Sequence, residues 1–302
     1  MYPTLNLFGH SVALYDPLNA IAYVAALIVL ICRLKTYRTF STFPVAAEKA
    51  LLKKPLSFAW WLFCGFEALV IFALTAAVTA ALNNPLSLLF LGDRSANYFP
   101  YMFFVPVLLF VFGVLLRVSP LKLEDYFAPL GLVILIIVKL ACYFQGCCNG
   151  VELSGPGPFP AFCYNQNQAQ YQVPVQLIEM ACAVVMLIVL ILVGRRKNRK
   201  TGLLYPLFML MYCGSRFISE FWRGDYPAVW GRLTGYHIQC IIGFVLGAVY
   251  LVAVLIWGER ITAFFETRNK AWLDGKLGAL KTKKRKKNKG KNIVHAKKRR
   301  KK

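Results

Sequence analysis

Charge is scarce in this chain of 302 residues: Asp, Glu, Lys and Arg together make up 16%, and only 13 residues are acidic. An ordinary globular chain carries about 25% charged residues. With 58% apolar residues and a mean hydropathy of +0.53, the shortfall excludes a soluble domain. Cysteine is too sparse and scattered for a disulfide scaffold, at 9 residues. Six of them (Cys32, Cys64, Cys142, Cys182, Cys213, Cys240) lie in or beside apolar runs and read as small hydrophobes. Cys147, Cys148 and Cys163 fall in one polar segment and can pair if it faces an oxidising compartment. No C-x-x-C…C-x-x-C zinc spacing occurs, and nothing in the sequence asks for a metal or a cofactor. Internal repeats of the kind that mark secondary transporters are absent. No Lys or Arg precedes the first apolar run and no small-residue cleavage site follows it, so that run is expected to stay as a helix.

What the chain does have is apolar runs of membrane-spanning length, about 20 residues each. Seven qualify: Tyr15–Cys32, Phe58–Leu82, Tyr98–Leu116, Tyr126–Tyr143, Val175–Val193, Leu203–Trp222 and Tyr236–Trp257. The expected fold is an all-α polytopic membrane protein, a seven-helix domain over residues 1–258. Lys and Arg in successive connections number 0, 6, 1, 2, 0, 5, 2 and 18. High and low alternate, which predicts an outer N-terminus and a cytoplasmic C-terminus. The longest outer connection, residues 144–174, is expected to fold over the outer mouth. Residues 259–302 hold 18 Lys and Arg against Glu259, Glu266 and Asp274, or +15 of the net +23. They read as a cytoplasmic polybasic tail, largely disordered and held near anionic lipid headgroups. Specific nucleic-acid binding is disfavoured because no aromatic platform is interleaved with the charge.

Charges inside spans are costly and ask for a partner or a purpose. They are Glu67, Lys139, Glu179, Arg216 and Glu220. At a rise of about 1.5 Å per residue, the last four fall within roughly 10 Å of the outer edge, whereas Glu67 is near the midplane and reads as a satisfied carboxylic acid. Arg216, Glu220 and Arg223 are spaced i, i+4, i+7 and share one helical face. Two readings stand. The cations neutralise Glu179 and Glu220 inside the bundle, or they form a pocket for a phospholipid phosphate, which Arg grips with two prongs and Lys with a point charge. Tyr15 reads as an interfacial anchor and Gln176 as a residue that satisfies a helix start. His10 and His237 lie at the outer face as possible bases.

Three segments carry a family likeness. Lys139-Leu-Ala-Cys142-Tyr-Phe-Gln-Gly146-Cys147-Cys148-Asn-Gly150 resembles the prolipoprotein diacylglyceryl transferase signature R-I-G-N-F-x-N-G-E-x-x-G, and its variant R-I-G-C-F-x-x-G-C-C-Y-G. Val173-Pro-Val-Gln176-Leu-Ile-Glu179 is similar to H-P-S-Q-L-Y-E, and Gly214-Ser-Arg216-Phe-Ile-Ser-Glu220-Phe-Trp-Arg223 to G-x-x-R-x-x-x-E-F-x-R. The resemblance covers roughly Phe8 to Trp257. It implies transfer of diacylglyceryl from phosphatidylglycerol to the lipobox cysteine of a prolipoprotein, at the outer face of the bacterial plasma membrane. By position it implies that Arg216 holds the phosphate and Glu220 orients it, with Lys139 as a further catalytic cation. Tyr15, Gly146, Gly150, Gln176, Glu179 and Arg223 would line the phospholipid site. The chain departs from the family pattern at Lys139 (Arg), Cys142 (Asn), Cys147 (Glu) and Val173 (His). The third span also lacks the family's His-Gly-Gly, holding no His and only Gly113. The alternative function is a non-catalytic phospholipid-binding or accessory membrane protein.

Overall fold

A computed structural model describes residues 4–7, 10–36, 99–116, 119–156, 159–196, 198–225, 228 and 230–299. The expected span Phe58–Leu82, with Glu67, lies outside them. Two strands, β1 (Thr4–Leu7) and β2 (His10–Ala13), pair as an antiparallel hairpin. Helices α1 (Tyr15–Thr36), α2 (Phe99–Leu116) and α3 (Pro120–Gln145) follow. A one-turn helix α4 (Pro160–Cys163) leads into a short hairpin, β3 (Tyr164–Asn165) and β4 (Gln170–Tyr171). Then come α5 (Val175–Arg195), α6 (Leu204–Glu220) and α7 (Gly235–Arg299).

The described part is mostly helical, and three helices are long and apolar enough to cross a bilayer: α3, α5 and the Gly235–Arg268 part of α7. This is a multi-pass membrane protein. Helix α3 is central, packing on α1, α2, α5, α6 and α7. Leu132 and Leu135 of α3 meet Ala183 and Leu190 of α5 and Phe208 and Tyr212 of α6 in the core. The opposite faces of α5 and α7 stay apolar, with Val185 and Val249 about 60% exposed. Such faces suit hydrocarbon rather than water.

Two boundaries differ most from the sequence reading. Helix α3 starts at Pro120, a turn and a half before Tyr126, with proline in the first turn where its missing N–H costs nothing. Glu124 and Asp125, expected in a connection, are therefore buried in it. Asp125 Oδ2 accepts the amide of Gly202 and Oδ1 that of Leu204, both at 2.8 Å, and Asp125 also pairs with Arg199. The α6 N-terminus has no side-chain cap of its own at Leu203, so a carboxylate from another helix satisfies its free N–H groups. The second difference is the tail: α7 runs on through the basic stretch to Arg299, where disorder was expected from residue 259. Lys, Arg, Leu and Ala are good helix formers, and no proline interrupts them there.

Candidate functional site

The end of the bundle opposite Asp125 collects the last turns of α3 and α6 and the first turns of α5 and α7. Glu179, on the second turn of α5, is the shared anion. Lys139 of α3 and Arg216 of α6 each form a close ion pair with it, Arg223 Nη1 lies 3.6 Å from its Oε1, and Ser219 Oγ donates to the same oxygen at 3.2 Å. Arg216 also reaches forward one turn to Glu220, Nη2 to Oε2, at 2.8 Å. Thr234 Oγ1 donates to Glu220 Oε1 at 2.9 Å, and Arg223 Nε lies 3.8 Å from Glu220 Oε2. Arg223 further pairs with Asp225, with Nε donating to Oδ1 at 3.0 Å. The Arg216 guanidinium sits 5.6 Å from the centre of the Tyr236 ring. Glu179, Arg216, Glu220 and Arg223 are all buried, which makes mutual pairing obligatory at low dielectric. A small cavity between α3, α5 and α6 is lined by Lys139, Glu179, Cys182, Arg216 and Ser219.

The turn after α3 is held against this cluster from two sides. Gly146 takes φ 70 at the helix end, and the Cys147 amide returns to the Cys142 carbonyl at 3.2 Å, the usual C-terminal closure through a left-handed glycine. A Cβ on Gly146 would come within 2.8 Å of Asn165 Oδ1. Asn165, fully buried at the start of the short hairpin, donates through Nδ2 to the Gly146 carbonyl at 3.3 Å and to Asn149 Oδ1 at 3.2 Å. Gln176, in the first turn of α5, donates through Nε2 to the Cys147 carbonyl at 2.6 Å. Gln176 therefore ties the loop down rather than serving its own helix start. Gly150 bridges to Arg223 and approaches Val173 so closely that a Cβ would lie 2.1 Å from the Val173 carbonyl oxygen. Val151 N donates to the Trp222 carbonyl at 2.8 Å, so the loop strand and the end of the Arg216 segment are stitched together.

Tyr15, half-buried at the first turn of α1, lies within electrostatic reach of Cys142, Cys147 and Cys148. His237 is buried, accepts the Thr234 amide through Nδ1 at 3.0 Å, and packs against the rings of Phe217 and Phe221. Its Nε2 has no hydrogen-bond partner among the described residues. Outside the membrane-spanning segments, Cys148 and Arg223 are among the strongly shifted groups. Hydrogen bonds from the Cys142 and Cys147 thiols hold the Cys148 thiol well below its ordinary range against the opposing effect of burial, helped by the charges of Lys139 and Arg223. Burial works against the charge of Arg223, yet Cys148, Glu179 and Asp225 together raise its pKa.

Sequence reasoning brought Lys139, Glu179, Arg216 and Glu220 to one depth and put Arg223 on the face of Arg216 and Glu220, and the structure brings all five into one network. It missed Ser219, Thr234, Asp225 and Asn165. Ser219 was within reach, since it sits three residues after Arg216 on the same helix; the others lie in connections with no periodicity to place them. Cys142, read as a small hydrophobe, instead meets Cys147 and Cys148, and all three thiols are free; Cys163 is free and buried and is not part of that group.

Residues 4–253 match the family model described as prolipoprotein diacylglyceryl transferase. No curated protein matches the chain.

Proposed function

The chain belongs to the prolipoprotein diacylglyceryl transferase family, a family of transferases of lipoprotein biosynthesis, and on that premise we propose that it moves the diacylglyceryl group of phosphatidylglycerol onto the lipobox cysteine thiol of a prolipoprotein at the outer face of the bacterial plasma membrane. The thiol sulfur forms a bond to an sp3 carbon of the glyceryl group as the C–O bond to phosphate breaks. The electron pair leaves with glycerol 1-phosphate and the thiol proton is released. Cations that meet the departing phosphate lower the barrier, because fixed charge in a water-poor site needs no reorganisation. The observation that carries this reading is the convergence of Lys139, Arg216 and Arg223 on Glu179 beside a cavity. In it Arg216 holds the phosphate, Glu220 and Glu179 orient Arg216, and Lys139 adds a second cation. Tyr15, Gly146, Gly150, Gln176 and Arg223 shape the wall that the lipid headgroup meets.

One feature favours a second reading, a phospholipid-binding protein without transfer activity: each of the three cations already has a carboxylate partner. Incubating the purified protein with labelled phosphatidylglycerol and a lipobox peptide decides between them. Label in a thioether-linked peptide supports the transferase, and binding of the lipid with no label transferred supports the second reading. Rescue of a strain depleted of its own transferase tests the same point in cells.

A further inference from the structure

Cys142, Cys147 and Cys148 place their three sulfurs within 4.8 Å of one another. Three local features produce this. Cys142 is in the last turn of α3, and the left-handed turn at Gly146 folds Cys147 back over it. Sequence neighbours such as Cys147 and Cys148 would diverge in an extended chain, but Cys148 sits at φ 59. That conformation is uncommon for a residue with a Cβ, and outside Gly it is most easily held by Asn or Asp. The loop is then fixed by Asn165 on the Gly146 carbonyl and Gln176 on the Cys147 carbonyl. The result is a braced concave set of three soft ligands, with Cys142 buried and the other two half-buried.

A tetrahedral zinc ion with Zn–S bonds of about 2.3 Å needs sulfurs about 3.8 Å apart, so the trio closes on such an ion with movements of no more than about 1 Å. Soft thiolates select zinc or copper(I) over magnesium or calcium, and zinc with three protein ligands characteristically keeps a fourth position open. Lys139 and Arg223 lie within electrostatic reach of Cys148 and offset the negative charge of three thiolates around a divalent ion. We propose that Cys142, Cys147 and Cys148 form a zinc site whose fourth position takes the thiol of the acceptor cysteine. This rests on the transferase reading above and supplies what that reading leaves unassigned, the activation of the thiol. On coordination the acceptor thiol gives its proton to water at the mouth of the site, since a metal-bound thiol is deprotonated. The sulfur then forms the new C–S bond as the C–O bond breaks and the electron pair leaves on the phosphate oxygen. The thioether product is a weaker, neutral ligand and leaves the ion.

The test uses the full chain, purified in detergent with a phosphine reductant. Metal analysis is expected to find about one zinc per chain, and cobalt(II) exchanged into the site should give a sulfur-to-cobalt charge-transfer band. Cys148→Asn keeps a residue that tolerates the left-handed conformation yet removes the ligand; it should lose the zinc and the band while its detergent-solubilised melting profile stays close to wild type. Cys147→His keeps a zinc ligand and should retain metal with a shifted spectrum. A lipobox peptide with cysteine should intensify the band, and the same peptide with serine should not. Zinc-free reduced protein, unchanged zinc in Cys148→Asn, or a disulfide within the trio overturns the site. Bound zinc with no response to the thiol peptide overturns the acceptor role. Bound zinc with a thiol response and no lipid transfer upholds the site while the transferase reading fails.

Discussion

Arg216 Nη2 lies 2.8 Å from Glu220 Oε2, one turn further along α6, while the same guanidinium is also paired with Glu179 on the neighbouring helix. Two carboxylates from two helices therefore fix the plane of one guanidinium, which is the geometry that two-pronged binding of an oxyanion needs. Arg216→Ala is expected to lower transfer of labelled lipid to a lipobox peptide by about 10²–10³-fold, the scale seen when a preorganised charge-stabilising donor is lost. Lys139→Arg, which restores the family residue and its fork, should preserve or raise the rate. Unchanged transfer in Arg216→Ala would remove that residue from the reaction.

Glu179 compensates three cations at once, of which Arg216 and Arg223 are buried. Removing it leaves Lys139, Arg216 and Arg223 with less negative charge than they need, so Glu179→Ala should destabilise the protein by about 3–5 kcal/mol, the usual scale for breaking a buried pair. Glu179→Gln keeps the acceptor oxygen for Ser219 and should cost less. Melting curves in detergent for both variants, compared with wild type, check the order.

At the other end, Asp125 caps α6 through the amides of Gly202 and Leu204. Asp125→Ala leaves those amides without their acceptor and Arg199 without this carboxylate, and should cost about 1–3 kcal/mol, because a buried donor without a partner carries its full desolvation penalty. The affinity for phosphatidylglycerol should be unchanged, since the proposed lipid site is at the opposite end. A weakened lipid affinity with normal stability would contradict this separation.

The Lys/Arg alternation predicts an outer N-terminus and a cytoplasmic C-terminus. In intact cells, a cysteine introduced within residues 153–156 should gain reaction with an impermeant thiol reagent over the wild-type background, and one within 198–201 should not. The reverse pattern would turn the ion-pair network to the cytoplasmic side.

The parts legible in the sequence were those in which composition and spacing speak directly. Lys139, Glu179, Arg216 and Glu220 stand out because charge is rare inside apolar runs, and counting residues from the ends of those runs gave them one depth. Asp125 was lost for the converse reason: a span drawn by apolarity sheds its charged end, although here the helix includes it. Asn165 and Thr234 act through loops whose course has no period. The cysteine trio was hidden because Cys142 belongs to an apolar run, and its meeting with Cys147 and Cys148 depends on two left-handed residues, Gly146 and Cys148.

The charges of the network cancel: Lys139, Arg216 and Arg223 stand against Glu179, Glu220 and Asp225. A neutral assembly throws almost no field beyond its own walls, so it cannot draw an anion from a distance as a bare basic patch does. A phosphate that enters gains only the difference between its own contacts with the cations and those it displaces. Recognition at the proposed phosphate site is thus an exchange of one anion for another at contact range, insensitive to ionic strength and dependent on how far the Glu179 carboxylate can yield.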